Sequence, residues 1–244
     1  MYIYCLFIVG LLAQIASSNA IVESDWEVEY DGYGYVEFGD GQVHFAPMNS
    51  TESDETHAVL ILSKTKYQSF DIEVTARTDR QLREGDDPNT WEVFWTFFNY
   101  MKTTGFEKET NYFILKTNGI ELGTADKLLG QNFLVTDSQP ICEIGKDYTY
   151  RIKMSEDFLL SIWIDDTLVI DNYKADQDDS SKSLYKHDGY FGLYTEDGEI
   201  TVKSFKDNQD DDDDDDDDDK TSSSFKLQYS LILFLISYFF LNFI

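Results

Sequence analysis

Across residues 21–206, apolar side chains recur with a period of two rather than the 3.6-residue period of an amphipathic helix. Short segments such as WEVEY and GYVEF are rich in Val, Tyr, Phe and Trp and are separated by turn residues. The one candidate helical turn is ADKLLG, at residues 125–130. A dozen or more short strands without intervening helices predict an all-β fold, and their number favours a two-sheet antiparallel jelly-roll sandwich.

The first 20 residues differ in character from this pattern. Residues 3–12 are apolar, small residues follow, and Ser18-Asn19-Ala20 fits a cleavage site. The apolar stretch is too short to cross about 30 Å of hydrocarbon, so we expect residues 1–20 to be a cleaved secretory signal peptide. Cys142 is then the one cysteine of the mature chain, which excludes an intramolecular disulfide and makes burial its most common role.

Residues 207–224 include ten consecutive aspartates, and residues 225–244 are mostly apolar. Adjacent like charges repel one another and bury no apolar surface, so residues 207–224 are predicted to be a disordered stalk. Residues 225–244 are predicted to be a glycosylphosphatidylinositol (GPI) attachment signal, with Ser222 or Asp219 as the attachment residue. A short retained membrane anchor is the alternative. Both readings locate the protein on the extracellular face of the plasma membrane.

The formal net charge is −28, of which ten units come from the aspartate run. The remaining acidity repels phosphate groups, so neither nucleic acid nor anionic lipid is an expected partner. Asn49-Ser50-Thr51 is the one N-glycosylation sequon, and it lies in a polar stretch of a chain that we expect to be secreted.

Two stretches are more specific than the general β pattern: PNTWEVFWTFFNY at residues 88–100 and NYFILKTNGIELGT at residues 111–124. In the first, Trp91, Val93, Trp95 and Phe97 are predicted to share one face of a strand. Together with the later GYFGLYTEDGEITVKSF, these stretches resemble a secreted group of the concanavalin A-like lectin/glucanase superfamily. That group has a PxxWE…W strand and an NYFxLKxNGxELG hairpin, and the resemblance covers most of residues 70–205.

The resemblance implies a curved jelly roll whose concave sheet often binds glycans and sometimes a structural Ca²⁺. Carboxylates on loops suit Ca²⁺. The candidates for such ligands are Asp86, Asp87, Asp176, Asp178 and Asp179.

A carbohydrate site needs flat aromatic rings for the C–H faces of sugars and polar groups that bond hydroxyls in pairs. Asn118-Gly119 predicts a type I′ turn, across which Lys116 and Glu121 should face each other. The alternative for each residue is structural, with tryptophans as core and Lys116–Glu121 as an ion pair. Residues of the required types make up the predicted ligand site: Arg77, Arg80, Trp95, Asn99, Tyr112, Lys116 and Glu121.

Three functions remain open from sequence. Glucanases of the superfamily carry catalytic carboxylates in an ExDxxE pattern on one strand, and this chain lacks that pattern. Glu92 and Glu121 are the weak candidates for a catalytic pair assembled in space. We therefore expect a cell-surface, lectin-like module that binds carbohydrate, rather than an enzyme. The alternatives are a glycoside hydrolase or polysaccharide lyase of the same fold, or an adhesive coat protein.

Overall fold

The computed structural model describes residues 19–102, 109–126, 130–174 and 183–209. In this part of the chain, one 3₁₀ turn (Glu23–Asp25) precedes fourteen β-strands, which confirms the all-β prediction. The strands are β1 Trp26–Tyr30, β2 Tyr35–Gly39, β3 Gln42–Ala46, β4 Ala58–Tyr67, β5 Phe70–Gln81, β6 Phe94–Tyr100, β7 Glu109–Lys116, β8 Gly119–Asp126, β9 Gly130–Asp137, β10 Asp147–Met154, β11 Leu159–Ile164, β12 Thr167–Lys174, β13 Gly189–Glu196 and β14 Gly198–Asp207.

The strands form two antiparallel sheets of seven strands each. Sheet A has the order β1-β4-β13-β6-β7-β8-β9, and sheet B has the order β12-β11-β10-β5-β14-β3-β2. The last two strands of the chain lie in the interior of the sheets: β13 lies between β4 and β6, and β14 lies between β5 and β3. The predicted jelly-roll sandwich is therefore confirmed. Of the predicted helical turn, Ala125 and Asp126 belong to β8, Gly130 belongs to β9, and residues 127–129 lie outside the described residues.

The layer between the sheets is built from alternate residues of each strand. The rings of Phe94 and Phe113 in sheet A lie 5.3 and 6.5 Å from that of Tyr150 in sheet B. Phe98 in sheet A lies 5.9 Å from Phe70 in sheet B. Because neighbouring residues of a strand point to opposite faces, Trp95 and Phe97, which alternate with Phe94 and Phe98 on β6, face away from sheet B.

Cys142 is buried next to this core. Burial raises the pKa of its thiol to about 11, so the thiol remains protonated at neutral pH. Its environment therefore agrees with the expected packing role and does not favour a nucleophile.

The first motif strand begins later than predicted. Glu92 N donates to Asn89 O (3.2 Å) and Val93 N donates to Trp91 O (2.8 Å), so turns precede β6, which starts at Phe94. The prediction that Trp91 and Val93 belong to this strand is wrong. The physical reason is the side chain of Glu92, which is drawn into a fully buried ion pair and bends the chain before the strand begins.

That ion pair is part of a buried network centred on Arg83. The Arg83 guanidinium donates to Glu92 Oε1 (2.6 Å), to Asp197 Oδ2 (2.9 Å) and to the carbonyl oxygen of Glu55 (3.1 Å). Asp197 Oδ1 in turn accepts bonds from Ser50 Oγ (2.5 Å) and from a backbone N–H. The network joins the β3–β4 connection, the β5–β6 connection and the β13–β14 turn. Glu92, a weak catalytic candidate from sequence, is thus engaged in a structural contact.

The β7–β8 hairpin turns one residue earlier than predicted. Lys116 pairs with Gly119, so Thr117 and Asn118 are the turn residues, and neither has the positive φ that a type I′ turn requires. The type I′ prediction is wrong. Gly119 instead opens β8 with φ 141°, and a Cβ there would lie 1.9 Å from the carbonyl oxygen of Asp137. Glycine is required here because the neighbouring strand end approaches closely.

We expect Arg83→Met to lower the free energy of unfolding by about 3–5 kcal/mol, because it leaves two buried carboxylates without their cation. Urea unfolding followed by tryptophan fluorescence measures the change. Lys146→Met is the matched control, since it removes a cation from an exposed pair with Glu143 and should leave the free energy of unfolding nearly unchanged. Equal effects of the two substitutions would contradict the role given to the buried network.

Gly119→Ala should destabilise the fold by at least about 1 kcal/mol, because alanine meets both the positive φ and the Asp137 carbonyl. Gly39→Ala is the control, because a Cβ at Gly39 has no atom within 4 Å. Thermal unfolding of both variants tests the contrast. The explanation fails if Gly119→Ala melts at the temperature of the wild type.

Candidate functional site

One row of residues crosses sheet A on the face that points away from sheet B. Residues paired directly across antiparallel strands share a face, so the register defines the row. Its members, from the β1 edge to the β9 edge, are Tyr30, Leu60, Tyr194, Trp95, Ile114, Glu121 and Thr136. Two of the seven predicted ligand residues, Trp95 and Glu121, belong to this row.

The centre of this face is an aromatic cluster. The ring of Trp95 lies 5.2 Å from Tyr112, 5.4 Å from Tyr194 and 6.3 Å from Phe97, and Phe97 stacks on Tyr194 at 4.4 Å. Trp95 is only 3% exposed and Tyr112 is fully buried. Their rings therefore pack against neighbouring rings, which agrees with the alternative that the tryptophan is part of the core. Trp91 is the more accessible tryptophan, at 41% exposure, and its carbonyl oxygen accepts the Trp95 indole N–H (2.8 Å).

Glu121 is the polar centre of this face. Its Oε1 accepts a bond from Tyr112 Oη (2.8 Å), and its Oε2 accepts one from Lys116 Nζ (2.6 Å). Burial, together with the adjacent Glu121 charge, raises the pKa of Tyr112 well above its usual value, which keeps the phenol a donor. A Cβ at Gly123 would lie 2.4 Å from Tyr112 Oη, so the tyrosine reaches Glu121 only over a glycine. Lys116, Glu121 and Tyr112 are brought together as one unit.

Asn99 lies on β6 but serves another contact. Its Nδ2 donates to the carbonyl oxygen of His187 (2.7 Å), and its Oδ1 accepts a bond from Asn111 Nδ2 (3.0 Å). Asn111 is bonded in turn to the backbone of Tyr185. Asn99 is 1% exposed, so its amide holds the chain before β13 against the sheet and is not available to a ligand in this arrangement.

Arg77 and Arg80 lie on the other sheet. Arg77 Nε is 2.5 Å from Asp79 Oδ1, and Arg80 is bonded to Glu199 on β14. Both belong to an outward-facing polar cluster on β5 and β14, in which Glu199 also accepts a bond from Tyr35 Oη (3.1 Å). The seven predicted residues are therefore not one site. The β5–β6 connection crosses from sheet B to sheet A, and sequence proximity does not reveal that crossing.

Sequence reasoning missed Glu196, at the end of β13 on the same face as Tyr194. Tyr194 Oη donates to Glu196 Oε1 (2.7 Å), and burial raises the pKa of the Glu196 carboxyl above its usual value. The signal was present in the stretch GLYTED, where Tyr194 and Glu196 alternate as outward-facing residues of a strand.

Several predictions depend on other parts of the chain. Among the described residues, no three His, Cys, Asp or Glu side chains are grouped as metal ligands, and Asp86 and Asp87 lie exposed on a loop. Asp176, Asp178 and Asp179 lie outside the described residues, so a calcium site remains a prediction. Residues 1–18 and 210–244 also lie outside them, including Ser222 and Asp219. Within the described ranges, no helix has the length and apolar character needed to cross a membrane.

No family model and no curated protein matches this chain. Several solved structures match it in fold. The carbohydrate-binding module CBM66 from Bacillus subtilis has a TM-score of 0.53 at 16% identity, over 74% of this chain and 93% of the module. A Bacillus licheniformis β-glucanase has a TM-score of 0.52 at 11% identity, over 78% and 94%. The metal-free carbohydrate recognition domain of Emp46p has a TM-score of 0.51 at 12% identity, over 75% and 87%.

These identities are too low to carry a function, but the agreement covers nearly the whole of each solved domain. It agrees with the two seven-stranded antiparallel sheets. The chain therefore has the concanavalin A-like jelly-roll fold.

Proposed function

We propose that this protein binds carbohydrate at the β7–β8 end of the outward face of sheet A. The observation that carries the proposal is the Glu121 carboxylate, which Tyr112 and Lys116 hold in one orientation beside an aromatic cluster. A fixed carboxylate and ammonium can bond neighbouring sugar hydroxyls, and an aromatic ring can cover the C–H face of the same sugar. Preorganised polar groups of this kind lose little freedom when a ligand binds.

Accessibility divides the roles among these residues. Trp91 is 41% exposed, and the side chains of Lys116 and Glu121 are 16% and 10% exposed, so a sugar would contact these three. The buried Trp95 and Tyr112 are positioning residues, because Trp95 bonds the Trp91 carbonyl oxygen and Tyr112 bonds Glu121. The turn that carries Trp91 also touches the hairpin tip, where Thr117 N donates to Thr90 O (3.1 Å).

The carboxylates favour binding over hydrolysis. Glu92 is fully buried against Arg83, and Glu121 is bonded to a lysine and a tyrosine. Glu196 also lies on this face, and Tyr194 Oη donates to its carboxylate. Hydrolysis needs one carboxyl group that protonates the leaving oxygen and a second that acts as nucleophile or base, whereas each of these three carboxylates is engaged by a neighbouring side chain. A carbohydrate-binding module therefore fits these residues better than a glycoside hydrolase does.

Glu121→Gln and Trp91→Ala should each weaken glycan binding by about tenfold or more, because one removes the charged acceptor and the other removes the accessible ring. Binding of the purified protein to a glycan array, followed by titration of the best ligand, measures the loss. Arg80→Ala is the control, since Arg80 lies on sheet B. Glycans recovered after incubation should carry no new reducing ends. Wild-type affinity in both variants, or cleavage of the glycan, would exclude this proposal.

We further propose that the protein is exported and held on the cell surface by a GPI anchor, on the evidence of residues 1–20 and 225–244. Asn49 supports passage through the secretory pathway, because it lies in the β3–β4 connection with its amide on an exposed contact to Glu84. A glycan can be added there without disturbing a strand.

Phosphatidylinositol-specific phospholipase C should release the protein from intact expressing cells. A version with residues 225–244 replaced by a transmembrane helix should stay on the cells. Treatment with an N-glycosidase should lower the apparent mass of the wild type but should not change the apparent mass of the Asn49→Gln variant. Protein that stays cell-bound after phospholipase treatment would rule out the lipid anchor, and identical masses before and after glycosidase would rule out the glycan.

A further inference from the structure

We infer that the cleft between the β1–β2 turn and the start of β4 is a second sugar-binding site, centred on Tyr33 and His57. The cleft has a volume of about 590 Å³ and is lined by Tyr30, Asp31, Tyr33, Thr56 and His57. Ligand pockets in proteins commonly have volumes of 300 to 1,000 Å³. It lies at the β1 edge of sheet A, five strands from Glu121, and so goes beyond the site proposed above.

Tyr33 is held in a conformation that tyrosine rarely adopts. Gly32 and Tyr33 have φ values of 59° and 60°, and Gly34 N donates to Asp31 O (3.0 Å), which together define a type I′ turn. Asn and Gly are the residues that favour such positions. A bulky side chain there is an outlier, and outliers of this kind cluster at functional sites.

Several contacts maintain this conformation. Asp31 Oδ1 accepts a bond from Tyr33 N (3.0 Å), and Gly32 O accepts one from Met48 N (3.0 Å). A Cβ at Gly32 would lie 2.5 Å from the carbonyl oxygen of Ala58, so the turn is packed closely against the start of β4. The backbone that carries Tyr33 is thereby fixed before any ligand binds.

Packing does not account for the tyrosine. Tyr33 is 84% exposed, and among the residues that the structure describes its one ring contact is an edge-on approach to His57, with centroids 6.3 Å apart. A side chain that buries so little area contributes little hydrophobic stabilisation, while its backbone conformation is unfavourable. Stability alone would favour Asn or Gly at this position.

The polar groups of the cleft match hydroxyls. The His57 ring is oriented by Ser50 Oγ, 3.1 Å from Nδ1, and by Glu55 Oε1, 3.5 Å from Nε2, while the His57 backbone N–H donates to Asp197 Oδ1 (3.0 Å). Within residues 19–102 and the other described ranges, neither Asp31 Oδ2 nor the Thr56 hydroxyl has a hydrogen-bond partner. The cleft therefore offers donors and acceptors around an open ring, which suits a neutral sugar. An ammonium ligand would need acceptors only.

The test uses the purified full-length chain and an array of neutral gluco-, manno- and galacto-oligosaccharides, with titration calorimetry on the strongest ligand. Tyr33→Asn should weaken binding at this cleft by about tenfold or more, because the stacking ring is lost. The same variant should melt at or above the wild-type temperature, because Asn adopts the turn conformation readily. Tyr33→Phe is the matched control and should bind within about twofold of the wild type, since it keeps the ring.

The outcomes separate this site from the one at Glu121. Binding lost in Tyr33→Asn but kept in Glu121→Gln supports the cleft and counts against the sheet A site. Binding unchanged in Tyr33→Asn overturns the cleft, whatever Glu121→Gln does. A wild type that binds no neutral glycan overturns both sites. Tetramethylammonium binding that Tyr33→Asn removes, without any sugar binding, overturns the ligand class inferred here.

Discussion

Arg83 brings one buried positive charge to the place where three connections of the sandwich meet, and its partners are neighbours of both candidate sites. Glu92 follows Trp91 directly, so the ion pair fixes the turn that presents the accessible tryptophan. Asp197 binds the backbone of His57 and follows Glu196 in the chain. Burying three charges is costly unless they are paired, which makes the geometry of these connections strongly determined. The two candidate sites are thus connected through one network of buried ion pairs.

Sheet A is apolar on both faces, which is unusual for an antiparallel sheet that could expose one face to water. Its inner face meets sheet B through phenylalanines, and its outer face is centred on Trp95, Phe97 and Tyr194. Two carboxylates at the rim of this aromatic centre, Glu121 and Glu196, each accept a hydrogen bond from a tyrosine. Buried polar groups must be satisfied by partners, so these tyrosines are as necessary to the site as the carboxylates are.

The fold could be predicted from sequence because a period of two and the absence of helical periodicity are properties of the chain itself. A contact between Lys116 and Glu121 was also predictable, since both lie on one face of a short hairpin. The predicted direct pairing of the two residues is wrong, because Lys116 pairs with Gly119 and Glu121 pairs with Ile114. The assignment of Arg77 and Arg80 failed because strand adjacency in sequence does not say which sheet a strand joins. The predicted ligand role of Asn99 failed because its amide bonds the segment before β13, which is distant in sequence. Tyr33 could not be identified because residue type does not reveal a positive φ.

The buried thiol of Cys142 has a further use. Cys5 lies in the predicted signal peptide, so the mature chain would carry a single cysteine, 5% exposed and protonated at neutral pH. A thiol-reactive reagent can attack it only after the surrounding strands separate and the sulfur ionises. The rate at which the purified protein is alkylated therefore measures transient opening of the domain around Cys142, without any engineered label.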